Sequence, residues 1–179
     1  MEINMTFLHL FFLSALFFIC HCANADTHFE IQLSAQKLNL SIDEKRGPAF
    51  ADTSNHAGIA LAAYRQAGRY SKFGAVIEYS HPLGRDAELG SGKMAGFRPL
   101  NFLYTFNEKW DAELYLGAAQ YEWEKTARGY YIGGNWRYKM SVFTLAADYR
   151  YYQDLAYDSP DGDIIVDGSG LSMKIIFDF

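Results

Sequence analysis

Charged side chains at alternate positions are the first feature of this chain that could do chemistry. Glu30, Glu78, Glu113, Asp148 and Asp178 recur with Lys72, Arg137, Arg150 and Lys174, each inside a segment whose other positions are mostly apolar. Residues of one parity share a face of a strand, so the acids and bases would meet on one side of a sheet. In a confined space they either neutralise one another as hydrogen-bonded pairs or line a narrow path for ions. A charge left unpaired there costs several kcal/mol. Two smaller constellations compete with this one. Ser80-His81, together with Ser54 and His56, supplies nucleophile and base types. Asp158, Asp161, Asp163 and Asp167 surround Pro160 and Gly162, and clustered carboxylates bind Ca²⁺ through oxygen. Their spacing lacks the alternating acidic or amide ligands that precede the glycine of an EF-hand, so they read as a solvated acidic turn. The serines and histidines read as polar residues of connections. No catalytic, cofactor-binding or metal site is expected, and the charge network is the candidate site.

The elements that must hold these charges are short and numerous. Leu171, Met173, Ile175, Phe177 and Phe179 alternate with Ser172, Lys174, Ile176 and Asp178, a two-residue period that predicts a β-strand up to the last residue given. A patterned terminal strand needs a partner, and pairing with the first strand would close a barrel. That first strand is Phe29, Ile31, Leu33 and Ala35 against Glu30, Gln32 and Ser34. The second covers about 56–66, and the third carries Phe73, Ala75, Ile77 and Tyr79. Leu100, Phe102, Tyr104 and Phe106 mark the fourth, Ala112, Leu114, Leu116 and Ala118 the fifth. Tyr130, Ile132, Gly134, Trp136 and Tyr138 mark the sixth, and Phe143, Leu145, Ala147, Tyr149 and Tyr151 the seventh. Tight connections at 67–69, 107–109 and 139–140 alternate with longer ones at 37–55, 82–93, 123–128 and 153–168.

Two places resist this pattern. Leu38, Leu40 and Ile42 alternate in the opposite phase to Phe29–Ala35, which suggests either a β-bulge near Gln36-Lys37 or a separate flap. Pro99 removes a ladder hydrogen bond from the fourth strand and predicts a bulge near the long-connection rim, leaving the facing of Phe97 and Arg98 open.

Alternation alone does not say which face meets water. A soluble lipocalin-like barrel would hide the apolar face, and Gly134-Asn135-Trp136 superficially suits one, although it falls in the sixth strand. The distribution of aromatics favours lipid outside. Tyr104, Phe106, Trp110, Trp136, Tyr138, Phe177 and Phe179 would gather at the short-turn rim, and Tyr79, Tyr130, Tyr149 and Tyr151 toward the other. Amphipathic rings prefer the depth of lipid headgroups. The polar face mixes both charge signs with Gly58, Ala60, Ala62, Gly74, Gly117, Ala119, Gly133 and Ala146, which suits a narrow, filled lumen.

The N-terminal segment reads as an export signal. Phe7 to Ile19 is a short apolar run followed by Ala23-Asn24-Ala25, a small-x-small cleavage pattern, so residues 1–25 are expected to be removed and 26–179 to form one barrel domain. Glu2 and the absence of Lys or Arg before the run depart from the usual pattern. Cys20 and Cys22 fall within this segment, which would leave a mature chain without thiols. The formal net charge of −5 over 179 residues, with no basic stripe, excludes nucleic acid as a natural partner.

An even number of antiparallel strands, tight turns on one rim, long connections on the other and the Phe177-Asp178-Phe179 ending together resemble the small eight-stranded outer-membrane barrels of the OmpA/OmpX type. The likeness spans 28–179. It implies an all-β, closed eight-stranded antiparallel transmembrane β-barrel in the outer membrane of a Gram-negative bacterium. Its partners would be outer-membrane lipid and, during insertion, the barrel-assembly machinery, for which Phe177 and Phe179 would form the terminal aromatic signal. The role expected is structural or surface-interactive, with connections 37–55, 82–93 and 153–168 displayed outside for an extracellular ligand that the residues do not name. A small porin-like channel is the alternative, and a lipid A-modifying enzyme a second one. For the enzyme, no His-x-Ser-Asn stretch like that of lipid A deacylases is present, nor an N-terminal amphipathic helix like that of the palmitoyltransferase barrels.

Overall fold

Eight strands follow from the alternation, and every one hydrogen-bonds to its neighbours in sequence. The structure is a computed structural model, and it describes residues 27–43, 50–84, 92–122, 126–157 and 164–179. The expected export signal, residues 1–25, and Asp158, Asp161 and Asp163 lie outside the described residues. The strands are β1 (Thr27–Asp43), β2 (Phe50–Gln66), β3 (Ser71–Pro82), β4 (Lys93–Thr105), β5 (Trp110–Glu122), β6 (Thr126–Lys139), β7 (Thr144–Tyr157) and β8 (Ile164–Asp178). All neighbouring pairs are antiparallel, and β8 pairs with β1 from Glu30↔Asp178 to Asp43↔Ile165, closing the barrel. Phe29 and Phe179 exchange backbone hydrogen bonds at the seam. Closure leaves no edge strand along the paired rows.

Two of the three tight turns are where the sequence places them, and the third spans 140–143 rather than 139–140, with Met140 N donating to Phe143 O at 2.9 Å. Ala67 N donates to Ser71 O at 2.9 Å. Asn107 accepts from Lys109 N at 2.9 Å and from Trp110 N at 3.0 Å through its side-chain oxygen, a local bond that asparagine makes readily in turns.

Leu38 and Leu40 require a correction. β1 pairs with both neighbours in unbroken register from one end to the other, with no bulge at Gln36-Lys37 and no flap at 37–43. The even positions of β1 from Glu30 to Leu40 face inward. What changes is their chemistry: Glu30 and Gln32 are polar near the short-turn rim, Leu38 and Leu40 apolar beyond it. The same inversion occurs around the ring. Met94, Tyr121, Ala127, Leu155 and Val166 join Leu38 and Leu40 in one buried apolar cluster, while Lys37, Asn39, Thr53, Asn55, Lys93, Glu122 and Gln153 are exposed at outward positions. A strand needs about 9–11 residues to cross a bilayer, and β1 and β2 have 17 each. The surplus therefore emerges from the membrane, where water is outside and the apolar face turns inward. Most of the predicted long connection 37–55 is thus paired strand.

Pro99 does mark a bulge, but at mid-strand rather than at the rim. The register shifts between Phe97 and Leu100 on β4 and between Gly74 and Val76 on β3. The extra residue lets Arg98 and Asn101 both face inward although they differ in parity. A further bulge, not foreseen, separates Tyr152 from Leu155 on β7. There Asp154 takes a positive φ of 53°, and its amide donates to Asp167 Oδ1 at 3.0 Å.

Below the inversion the wall is apolar on the outside. Leu33, Leu61, Phe73, Leu100, Leu114, Leu116, Ile132, Leu171 and Met173 are all exposed. Water would not tolerate so continuous a belt on a monomer, and hydrocarbon would. The predicted girdle forms at the short-turn rim: Phe106 stacks on Trp136 with ring centres 5.3 Å apart, Tyr104 meets Phe106 edge-on at 5.0 Å, and Trp110 lies 4.8 Å from Tyr138. The fold is a closed eight-stranded antiparallel transmembrane β-barrel.

Candidate functional site in the barrel lumen

The inward charges form two connected layers. Nearer the short-turn rim, Arg137 on β6 is the hub. Its Nη1 donates to Glu30 Oε1 at 2.8 Å and its Nη2 to Glu113 Oε2 at 2.6 Å. Nη2 also reaches Tyr64 OH at 3.0 Å, and Nε donates to Asn135 Oδ1 at 3.0 Å. Tyr64 OH and Asn135 Nδ2 both donate to Glu113, each at 2.5 Å. Charge-assisted bonds of this kind are the strong ones, and a guanidinium's fixed fork suits several acceptors at once.

The second layer centres on Asp148 and Glu78. Asp148 accepts from Lys174 Nζ at 2.9 Å, Tyr115 OH at 2.6 Å, Ser172 Oγ at 3.1 Å and Arg150 Nε at 3.1 Å. Glu78 accepts from Arg150 Nη1 and from Tyr131 OH, each at 2.6 Å, and lies 3.4 Å from Arg98 Nη2. Arg98 stacks over the Tyr115 ring at 4.4 Å. Gln32 bridges the layers, donating to Glu30 Oε2 at 2.8 Å and accepting from Arg98 Nη2 at 3.4 Å.

Glycines make room for the tyrosines. Tyr115 lies opposite Gly133 and Tyr131 opposite Gly117 across β5 and β6. A Cβ at either glycine would overlap the facing tyrosine ring, so the small residues on the polar face leave space for phenols that hydrogen-bond to the carboxylates.

Of the residues expected in the network, Glu30, Glu78, Glu113, Arg137, Asp148, Arg150 and Lys174 come together. Lys72 and Asp178 do not: they sit at the short-turn rim, Lys72 half-buried and Asp178 exposed, and neither belongs to an ion pair among the described residues. Arg98 takes a place the sequence left open, because only the bulge at Pro99 turns it inward. The two layers then hold the carboxylates Glu30, Glu78, Glu113 and Asp148 against the cations Arg98, Arg137, Arg150 and Lys174, so formal charge cancels. The phenols of Tyr64, Tyr115 and Tyr131 were also missed. Their inward parity was readable, but an aromatic on a polar face carries no sign of which carboxylate it meets. Asp111 forms a separate pair with Lys139 at 2.8 Å near the short-turn rim.

The nucleophile-type residues are split by the fold. Ser80 and His81 point to opposite faces of β3, and His81 is exposed. Ser54 Oγ lies 2.9 Å from His56 Nε2, but both face the lumen and His56 is 0% exposed, which places the pair inside the barrel wall. Among the described residues, no group of three or more His, Cys, Asp or Glu is placed to hold a metal ion.

No protein-family model matches the chain, and no curated protein matches it. Among solved structures it is similar to the crystal structure of Neisserial surface protein A, with 15% identity, a TM-score of 0.48, and coverage of 84% of this chain and 97% of the other. It is similar to Ail, the attachment invasion locus protein of Yersinia pestis, at 13% identity and a TM-score of 0.46, covering 84% and 98%. The N-terminal β-barrel domain of Pseudomonas aeruginosa OprF matches at 13% identity and a TM-score of 0.39, covering 80% and 97%. By its own closed sheet, apolar outer wall and charge-filled interior, this chain has the fold of the small eight-stranded outer-membrane β-barrels.

Proposed function

We propose that the protein is a sealed structural barrel of the Gram-negative outer membrane that presents its outer strand extensions and the connections between them, within 37–55, 82–93 and 153–168, to extracellular partners. The observation that carries this reading is that two stacked zones of side chains fill the lumen. The neutralised layers of carboxylates and cations fill the lower half, and the cluster around Leu38, Leu40, Met94 and Leu155 caps them. Between Gln36, Glu78, Arg150 and Lys174 there is space of about 20 Å³, room for about one water molecule. An ion would have to break several pairs and then cross an apolar constriction. An interior whose buried charges are matched by counter-charges also stiffens the wall, which suits a support for recognition segments. Export would follow cleavage after Ala25, so N-terminal sequencing of the inserted protein should begin at Asp26. The deciding experiment is planar-bilayer conductance of the purified protein: no sustained steps are expected, and large stable steps would overturn the sealed reading in favour of a channel.

A further inference from the structure

On the outer wall, a groove of about 300 Å³ runs along β2 and β3, bordered by Phe29, Leu61, Ala63, Ala75, Ile77 and Phe97. Its floor is low because Ala63 and Ala75 are directly paired. One wall rises from Phe29, the partner of Ala63 on β1, and the other from Phe97, the partner of Ile77 on β4. The bulge at Arg98-Pro99 lies opposite Ala75 and locally widens the valley. Its volume is at the lower end of ligand-sized clefts, and its lining is almost wholly apolar.

Below the groove the rim carries positive charge. Arg65 continues the outward series Ile59, Leu61 and Ala63 on β2 and pairs across with Phe73. In the turn that follows, the guanidinium of Arg69 lies 5.1 Å from the centre of the Tyr70 ring. That turn is anchored: Tyr70 O accepts from Thr105 N at 2.7 Å, and Gln66 Nε2 donates to Gly68 O. Both arginines are exposed, and neither has an ion-pair partner among the described residues. They stand on the same rim as the aromatic girdle of Tyr104, Phe106 and Trp136, the rim where lipid headgroups lie.

We infer that this face holds one anionic glycerophospholipid of the leaflet at the short-turn rim, its phosphate on Arg65 and Arg69 and an acyl chain in the groove above them. Two exposed guanidiniums on the rim below the trough, with Arg65 the next outward position of β2 after Ala63 of its floor, choose this occupant. A zwitterionic lipid carries an ammonium beside its phosphate and gains less from two guanidiniums. A second barrel packed on the same wall would bring another Arg65 and Arg69 toward the first pair.

The test uses the folded protein in mild detergent, offered equal amounts of phosphatidylglycerol and phosphatidylethanolamine with matched acyl chains. Retained lipid is read by native mass spectrometry, and heat-modifiable gel mobility checks that each variant is folded. The wild-type protein should keep one phosphatidylglycerol in preference to phosphatidylethanolamine. Arg65→Gln or Arg69→Gln should each lower that retention about fivefold, and the double substitution on the order of 25-fold. Ala75→Phe, which fills the trough, should lower retention of both lipids. Lys93→Gln, at the opposite rim, should change nothing. Equal retention of the two lipids, an unaltered preference in the double variant, an equal loss with Lys93→Gln, or a lipid-free dimer would each overturn the assignment. Should Ala75→Phe fail to fold, the arginine variants decide alone.

Discussion

Arg137→Met removes the hub of the lower layer while keeping most of its volume. The guanidinium serves Glu30 at 2.8 Å, Glu113 at 2.6 Å, Tyr64 at 3.0 Å and Asn135 at 3.0 Å, and its side chain is 2% exposed. Without it, Gln32 still donates to Glu30, and Tyr64 and Asn135 still donate to Glu113, but two buried carboxylates remain with their charge uncompensated. Breaking a buried pair from one side costs about 3–5 kcal/mol, which is about two to three and a half decades in the unfolding equilibrium. Reversible urea unfolding in lipid vesicles measures this, with the fluorescence of Trp110 and Trp136 at the short-turn rim as reporter. The control is the triple variant Glu30→Gln, Glu113→Gln, Arg137→Met, which removes the stranded charges along with the cation. Exchanging a whole buried ionic cluster for neutral groups is often close to neutral in stability, so the triple variant should recover most of the loss. If Arg137→Met costs less than about 1 kcal/mol, the layer is hydrated rather than sealed. If the triple variant is as unstable as the single one, packing and not charge is what Arg137 supplies.

Leu114→Arg places a cation at a mid-strand position that is 67% exposed on the outer wall. Burial in hydrocarbon should cost roughly 2–4 kcal/mol and impair insertion, and unchanged heat-modifiable assembly in membranes would show that residue 114 does not face lipid. Leu38→Ala opens a void in the apolar cap, where Leu38 is 0% exposed. A loss of about 2–4 kcal/mol is expected in the same urea titration, and a cost under about 0.5 kcal/mol would place Leu38 in solvent.

Much of the architecture could be read from one property, the two-residue alternation. Leu171 to Phe179 predicted a terminal strand in need of a partner, and Phe29 supplies it. Asn107 and Ala67 marked tight turns that exist where expected. The misreadings have a common cause: alternation reports parity but not the medium outside. Leu38 and Leu40 broke phase with Phe29 to Ala35 and therefore suggested a bulge. The backbone runs straight there and only the surroundings invert, from hydrocarbon to water. Lys72 and Asp178 had the parity of lumen residues, yet stand at the rim, because parity does not give height along the barrel axis.

The sequence by itself determined that the chain forms alternating strands, how many there are, which rim carries the tight turns, and which parity is greasy, since each depends on neighbours a few residues apart. Only the tertiary structure decided which acid meets which base. Glu30 and Arg137 are separated by 107 positions, Glu78 and Arg150 by 72, and strand tilt with register brings them within hydrogen-bonding distance. The bulge at Pro99 matters most in this respect, because one extra residue turns Arg98 inward and completes the cancellation of charge. Pairing inside a closed wall is a property of the ring as a whole, and no local pattern encodes it.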